Sequence, residues 1–201
     1  MRFLRLLPLL LLLPAGSVPP GSLTASGQEV APAPPIAYDP PPDQKLNQFY
    51  AALARSASPE EAARYEGEIY LILTRHASPT INLLMQSAST ALEADDKETA
   101  RTALTSVVTL DPDFAEGLTR LATIAYDDGD YAQAESLLKR ALRQEPRHFA
   151  AWAGLGLVRE DMGNFAGAAA AYREALYYHP YLDAAKRGLL RMQTRLEGLS
   201  L

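Results

Sequence analysis

Three histidines, His76, His148 and His179, and a scatter of carboxylates are the side chains of this sequence best suited to chemistry. Histidine beside carboxylate serves metal binding or general acid–base work, and both require the groups to converge. The histidines have no HxxxH spacing that would set two rings on one helix face. His148 and His179 fall near boundaries between helical units, where exposure is expected. Asp127-Asp128-Gly129-Asp130 superficially suggests calcium, but it lacks the alternating ligand spacing and reads more simply as a turn followed by a helix N-cap. No phosphate-cradling glycine loop, nucleophile elbow or cysteine occurs. The expectation is a chain without metal, cofactor or catalytic site.

Glu93, Asp127 and Asp161 offer a different chemistry, because they recur at equal spacing, each in the last turn of an expected helix. A negative charge there opposes the helix dipole and costs a few tenths to about 1 kcal/mol. Either these carboxylates pair with neighbouring arginines such as Arg159 or are solvated, or, with Glu116 and Glu160, they form an acidic ledge. Such a ledge would receive a basic or amphipathic segment of a partner.

The helices that would position these groups are clearest in residues 149–182. Trp152 and Leu155 lie on one face of a first helix, and the small Gly156 beside them lets a second helix approach. Gly163 ends that helix, and Asn164 caps the next, which carries Ala168, Tyr172, Ala175 and Leu176 inward until Pro180 stops it. One period earlier, in 115–148, Leu121, Gly129, Tyr131, Ala134, Ala141, Leu142 and Pro146 occupy the corresponding positions, and Asp130 takes the cap. Residues 78–114 hold a degenerate copy, with Asp95 where the turn glycine belongs. Aspartate tolerates left-handed geometry better than most residues.

Before these units, 44–77 reads as a helical pair, with Leu46, Phe49, Tyr50 and Leu53 at helical spacing. Ser58-Pro59-Glu60-Glu61 is a capping-box start, and Ser78-Pro79-Thr80 repeats the signal. The pair is expected to cap the degenerate unit. At the other end, 183–201 reads as a capping helix, with Ala185, Leu189, Met192 and Leu196 continuing an apolar stripe from Leu182. Its Arg187, Arg191 and Arg195 form either a solvated face or a basic patch.

The chain has 201 residues and a net charge of -5, which argues against nucleic acid as the main ligand. At the start, Arg2 and Arg5 precede the apolar run 6–13. An apolar helix of about ten residues rises about 15 Å, half of a bilayer core of about 30 Å. Residues 1–27 therefore read as a secretory signal peptide, the other reading being an uncleaved anchor that would supply the one membrane contact. Residues 28–43 are proline-rich and read as an extended linker, or as a docking motif.

The spacing of Trp152, Leu155, Gly156, Gly163, Ala168, Tyr172, Ala175 and Pro180 resembles the tetratricopeptide repeat, a helix–turn–helix unit of about 34 residues. The leader, proline spacer and serine-proline-threonine helix start are similar to small exported repeat proteins of Gram-negative bacteria. The resemblance implies an all-α fold: a solenoid of antiparallel helix pairs with a C-terminal capping helix. It also implies a periplasmic or secreted adaptor or assembly scaffold, and a protein or peptide as partner. By position, the concave face would be lined by Asn82, Met85, Ser89 and Leu92, then Glu116, Thr119, Thr123 and Tyr126, then Ala150, Ala153, Leu157 and Glu160. Co-chaperones of the family place lysines and asparagines at these positions to clamp a C-terminal carboxylate, a pattern that this sequence lacks. A self-associating structural protein, joined through Tyr177, Tyr178 and Tyr181, is the alternative, and an enzyme with an unrecognised site a more remote one.

Overall fold

The computed structural model describes residues 42–198, and the expected signal peptide and most of the linker lie outside them. Nine helices and no strands occur among the described residues: α1 Pro42–Leu53, α2 Pro59–Leu73, α3 Pro79–Glu93, α4 Lys97–Leu110, α5 Ala115–Asp127, α6 Tyr131–Gln144, α7 Phe149–Asp161, α8 Phe165–Tyr178 and α9 Asp183–Gly198. Consecutive helices pack in pairs, α3 with α4, α5 with α6 and α7 with α8, and α9 covers α8.

The same device makes each of the three turns. Asp95, Gly129 and Gly163 adopt φ of +58°, +80° and +76°. The amide after each reaches back to close the preceding helix: Asp96 N to Ala91 O, Asp130 N to Ala125 O and Asn164 N to Arg159 O, at 2.8, 2.9 and 2.8 Å. The side chains of Asp96, Asp130 and Asn164 then accept from the amides of Thr99, Gln133 and Gly167 and start the second helices. Asp95 thus does with a side chain what glycine does in the later units. Ser58 also caps by accepting from the Glu61 amide, and Glu61 returns a bond to Ala57 N. Ser78 does not; its own amide donates to His76 Nδ1, and no side-chain cap forms.

Alanine sits where paired helices cross. Ala100, Ala134 and Ala168, one per pair, are fully buried. At the last pair the spacing is tighter still, since a Cβ on Gly156 would come 2.6 Å from the Tyr172 ring, and one on Gly188 of α9 would clash with the same ring. Tyr172 is therefore wedged between two helix backbones. Three linked cores run through α3 to α9: Ile81, Met85, Leu104 and Val107 in the first, Leu118, Leu138 and Leu155 in the second, and Ala168, Tyr172, Ala185 and Met192 in the third.

The helical pair α1–α2 does not stack ahead of α3–α4 as a cap. Its apolar side, Leu46, Tyr50, Leu53 and Ile69, forms a separate cluster with Phe149, Ala150, Tyr178, Tyr181 and Leu182. The hairpin thus lies along the first helices, where Tyr70 of α2 meets Arg120 of α5, which in turn bonds Ser89 of α3. Chemistry explains the choice. The exposed hollow between α3 and α4 mixes Leu83, Ala91 and Ala94 with Gln86, Ser87, Thr90 and Asp96 and offers no ring, whereas Phe149, Tyr178 and Tyr181 give Tyr50 aromatic partners.

Candidate functional site

The positions expected to line the concave face divide into a covered half and an open half. The covered half is at the starts of α3, α5 and α7, beneath α1–α2. Its centre is Glu116, 2% exposed in the first turn of α5. One Glu116 carboxylate oxygen accepts from Arg120 Nε at 2.6 Å and the other faces His148 Nε2 at 3.1 Å. His148 Nδ1 accepts from the Ala151 amide, so its proton is on Nε2 and is donated to Glu116. Burial pushes the Glu116 carboxyl up, but the hydrogen bonds from His148 and Arg120 and the Arg120 charge outweigh it and hold the group below its ordinary value. Arg120 also donates to Ser89 Oγ at 2.7 Å and lies over the Tyr70 ring.

A second polar group holds α1. Arg147 donates through Nε and Nη2 to both oxygens of Glu145, each at 2.8 Å, and through Nη1 to Asn47 Oδ1 at 2.6 Å, while its guanidinium covers the Tyr50 ring. The Tyr50 ring packs edge-on against Phe149 and Tyr178. Burial pushes its hydroxyl pKa well above the tyrosine range, with the Glu145 charge adding to it. His179 packs against Phe149 with ring centroids 5.0 Å apart and its Nε2 lies 3.2 Å from Glu66 of α2. Among the described residues, two buried side-chain polar atoms find no partner, Tyr50 Oη and His179 Nδ1.

Several expectations are corrected here. His148 and His179 are buried, not exposed, because α1–α2 covers the unit boundaries on which they stand. Glu116 faces no solvent, so it adds nothing to an acidic ledge. Thr119 is likewise buried, its hydroxyl donating to the Ala115 carbonyl. Glu160 is occupied by Arg191 of α9, which donates to both its oxygens at 2.7 and 2.8 Å, and by the Tyr172 hydroxyl. Of the three tyrosines expected to be exposed, only Tyr177 is; Tyr178 and Tyr181 pack against the hairpin. Sequence reasoning missed the burial of His148; the one apolar cue beside it is Phe149, which packs beneath the hairpin.

The open half lies toward the ends of α5 and α7. Thr123, Tyr126 and Leu157, with Ala150 and Gly154, line a narrow crevice between the two helices. Glu93, Asp127 and Asp161 are exposed at the last turns of α3, α5 and α7. Asp161 accepts from the Tyr126 hydroxyl across the crevice mouth, and Lys97 approaches Asp127 at 3.8 Å. Arg159 takes Glu135 at 3.0 Å and not Asp161. Asp130 is the cap of α6 and Asp128 pairs with Arg101, which accounts for the aspartate run. Among the described residues, no three histidines or carboxylates gather as a metal would require.

An array of helix pairs with one first-helix face left open defines an α-solenoid built to present a surface. Residues 119–185 match the family model described as the tetratricopeptide repeat. A TPR repeat-containing protein of Rhizobium etli is 37% identical over 117 residues, covering 58% of this chain and 57% of that relative's length. Among solved structures, the Sgt2 TPR domain from Aspergillus fumigatus aligns with a TM-score of 0.58 at 25% identity, covering 61% of this chain and 83% of that one. The first TPR of Spaghetti (RPAP3), solved bound to an HSP90 peptide, aligns with a TM-score of 0.58 at 19% identity, over 60% of this chain and 95% of the other, a likeness of fold. The described helices thus form a solenoid of the tetratricopeptide-repeat type, with residues 119–185 matching the repeat itself.

Proposed function

We propose that the chain binds a protein segment on the open half of its concave face, as an adaptor or assembly scaffold of the cell envelope. One observation carries the reading: Asp161 is held at the mouth of the crevice of Thr123, Tyr126 and Leu157 by the Tyr126 hydroxyl, and Glu93 and Asp127 stand exposed at the matching ends of α3 and α5, Asp127 with only Lys97 at 3.8 Å. An apolar floor with an acidic rim suits a basic amphipathic segment. The TPR of RPAP3, bound to a peptide, supports a peptide or protein as the class of ligand. Export rests on the leader-like residues 1–27.

Crosslinking in the native envelope, comparing the wild-type chain with Asp127→Lys, Asp161→Lys, is the test. The expected result is a partner captured by the first and lost from the second, with far-UV circular dichroism unchanged. Capture of the same partner by both would remove the acidic rim from the account, and capture of the chain by itself alone would make it a self-associating protein. Sequencing the N-terminus of the envelope-purified chain tests export, which predicts a start within or just after the small-residue stretch 15–27.

A further inference from the structure

The covered half of the concave face is a surface in its own right. Phe149 opens α7 yet belongs to none of the three cores that run through α3 to α9; it packs on α1, α2 and the residues after α8. Phe149, Ala150, Tyr178 and Tyr181 are thus placed to receive a helix and not to hold the repeats together. The helix they receive is α1, whose Leu46, Tyr50 and Leu53 recur at i, i+4 and i+7, the spacing of anchors laid into a groove.

The attachment has the character of a bound ligand more than of a core. Buried polar atoms in settled cores are almost always bonded, yet the two orphans of the described residues, Tyr50 Oη and His179 Nδ1, both lie at this junction. The remaining ties are side-chain bonds: Asn47 to Arg147, Glu66 to His179 and Tyr70 to Arg120. The three cores of α3 to α9 contain no residue of α1 or α2, so they stay closed when the hairpin lifts. Within the link 74–78, His76 is pinned to Asn82 and Asp111 on the repeat side, so the hairpin would turn about residues 74–75 just before it.

We propose that α1–α2 is the built-in occupant of a helix-binding site, which in exchange takes an amphipathic helix with an aromatic between two leucines and a carboxylate that meets His179. This rests on the concave face being a protein-binding face. A partner with phenylalanine at the Tyr50 position fits better than the hairpin itself, since it leaves no hydroxyl stranded beside Glu145.

The test uses the full chain and a fluorescent synthetic peptide of residues 42–75 carrying Tyr50→Phe. In the chain Asn47→Ala, Glu66→Gln, whose own hairpin is loosened at two of its three side-chain ties, the peptide is expected to bind at least ten-fold more tightly than to the wild-type chain. Adding Phe149→Ala abolishes that binding while far-UV circular dichroism and the melting of the repeats persist. Hydrogen exchange on the wild-type chain is expected to show α1 and α2 opening together at least ten-fold more often than α5 to α8. Equal exchange of the hairpin and α5 to α8, or a peptide that binds neither chain or binds both alike, overturns the proposal. Capture through Asp127 and Asp161 is read on the other half of the face, so it stands or falls separately.

Discussion

Glu116 is ionised in a place that water hardly reaches, and that fixes how the chain responds to acid. Its folded pKa lies below the ordinary 4.5, so the stability that it contributes is complete above 4.5 and disappears as pH falls through the lower folded value. Glu116→Gln keeps the shape but weakens two charge-assisted bonds, an expected loss of about 1–3 kcal/mol at neutral pH. Below 4.5 the gap between wild type and variant should narrow, since the unfolded chain takes up a proton that the folded carboxylate still resists, and it closes as pH passes the lower folded value. Urea midpoints on both sides of that pH measure it, and a gap that stays constant contradicts the account. This pairing could not be read from the sequence, since His148 lies 32 positions from Glu116 and only the side-by-side packing of α5 and α7 brings them together.

At the scale of elements, the turn is the unit that repeats most faithfully. Gly129, Gly163 and Asp95 share one backbone conformation, and their cost differs by residue type. Left-handed geometry costs an ordinary residue about 1–2 kcal/mol and glycine almost nothing, although glycine gives back part of this through the freedom of the unfolded chain. Asp95→Gly should therefore stabilise by a few tenths to about 1 kcal/mol, and Gly163→Ala should destabilise by about 1 kcal/mol. Chemical denaturation of the two variants checks both signs; a destabilising Asp95→Gly would mean that its carboxylate has a use beyond the turn. This level was the most legible in the sequence. Glycine, asparagine and aspartate mark turns and caps through their own local chemistry, so Gly129, Asp130, Gly163 and Asn164 announce themselves without reference to the rest of the chain.

For the whole molecule, each repeat buries its apolar face only against neighbours, so stability grows with the number stacked. A chain beginning at residue 111, without α1 to α4, exposes Ile124 and Leu121, which the first core covers in the complete chain. It should melt well below a chain beginning at residue 42, as followed by circular dichroism; equal melting would make α3–α4 a passenger. Tyr126 and Leu157, which line the open crevice, were placed on the concave face by the resemblance, carried over position by position from one repeat to the next. The course of α1–α2 was not, because its amphipathic pattern specifies an apolar surface but not which one. Tyr50 finds Phe149 and Tyr178 about a hundred positions later, and no local signal carries such an address.

The hairpin also has a mechanical consequence. A stack joined only neighbour to neighbour is compliant, because small rotations at each joint accumulate along its length. Here the link after α2 is bonded to the first pair through His76 and Asn82, and α2 itself, through Glu66, to the junction after the last pair at His179, so the hairpin spans the row like a tie rod. While fastened it limits how far the joints can flex in concert; released, it leaves the open crevice free to widen or narrow. Stiffness and access are set by the same two helices.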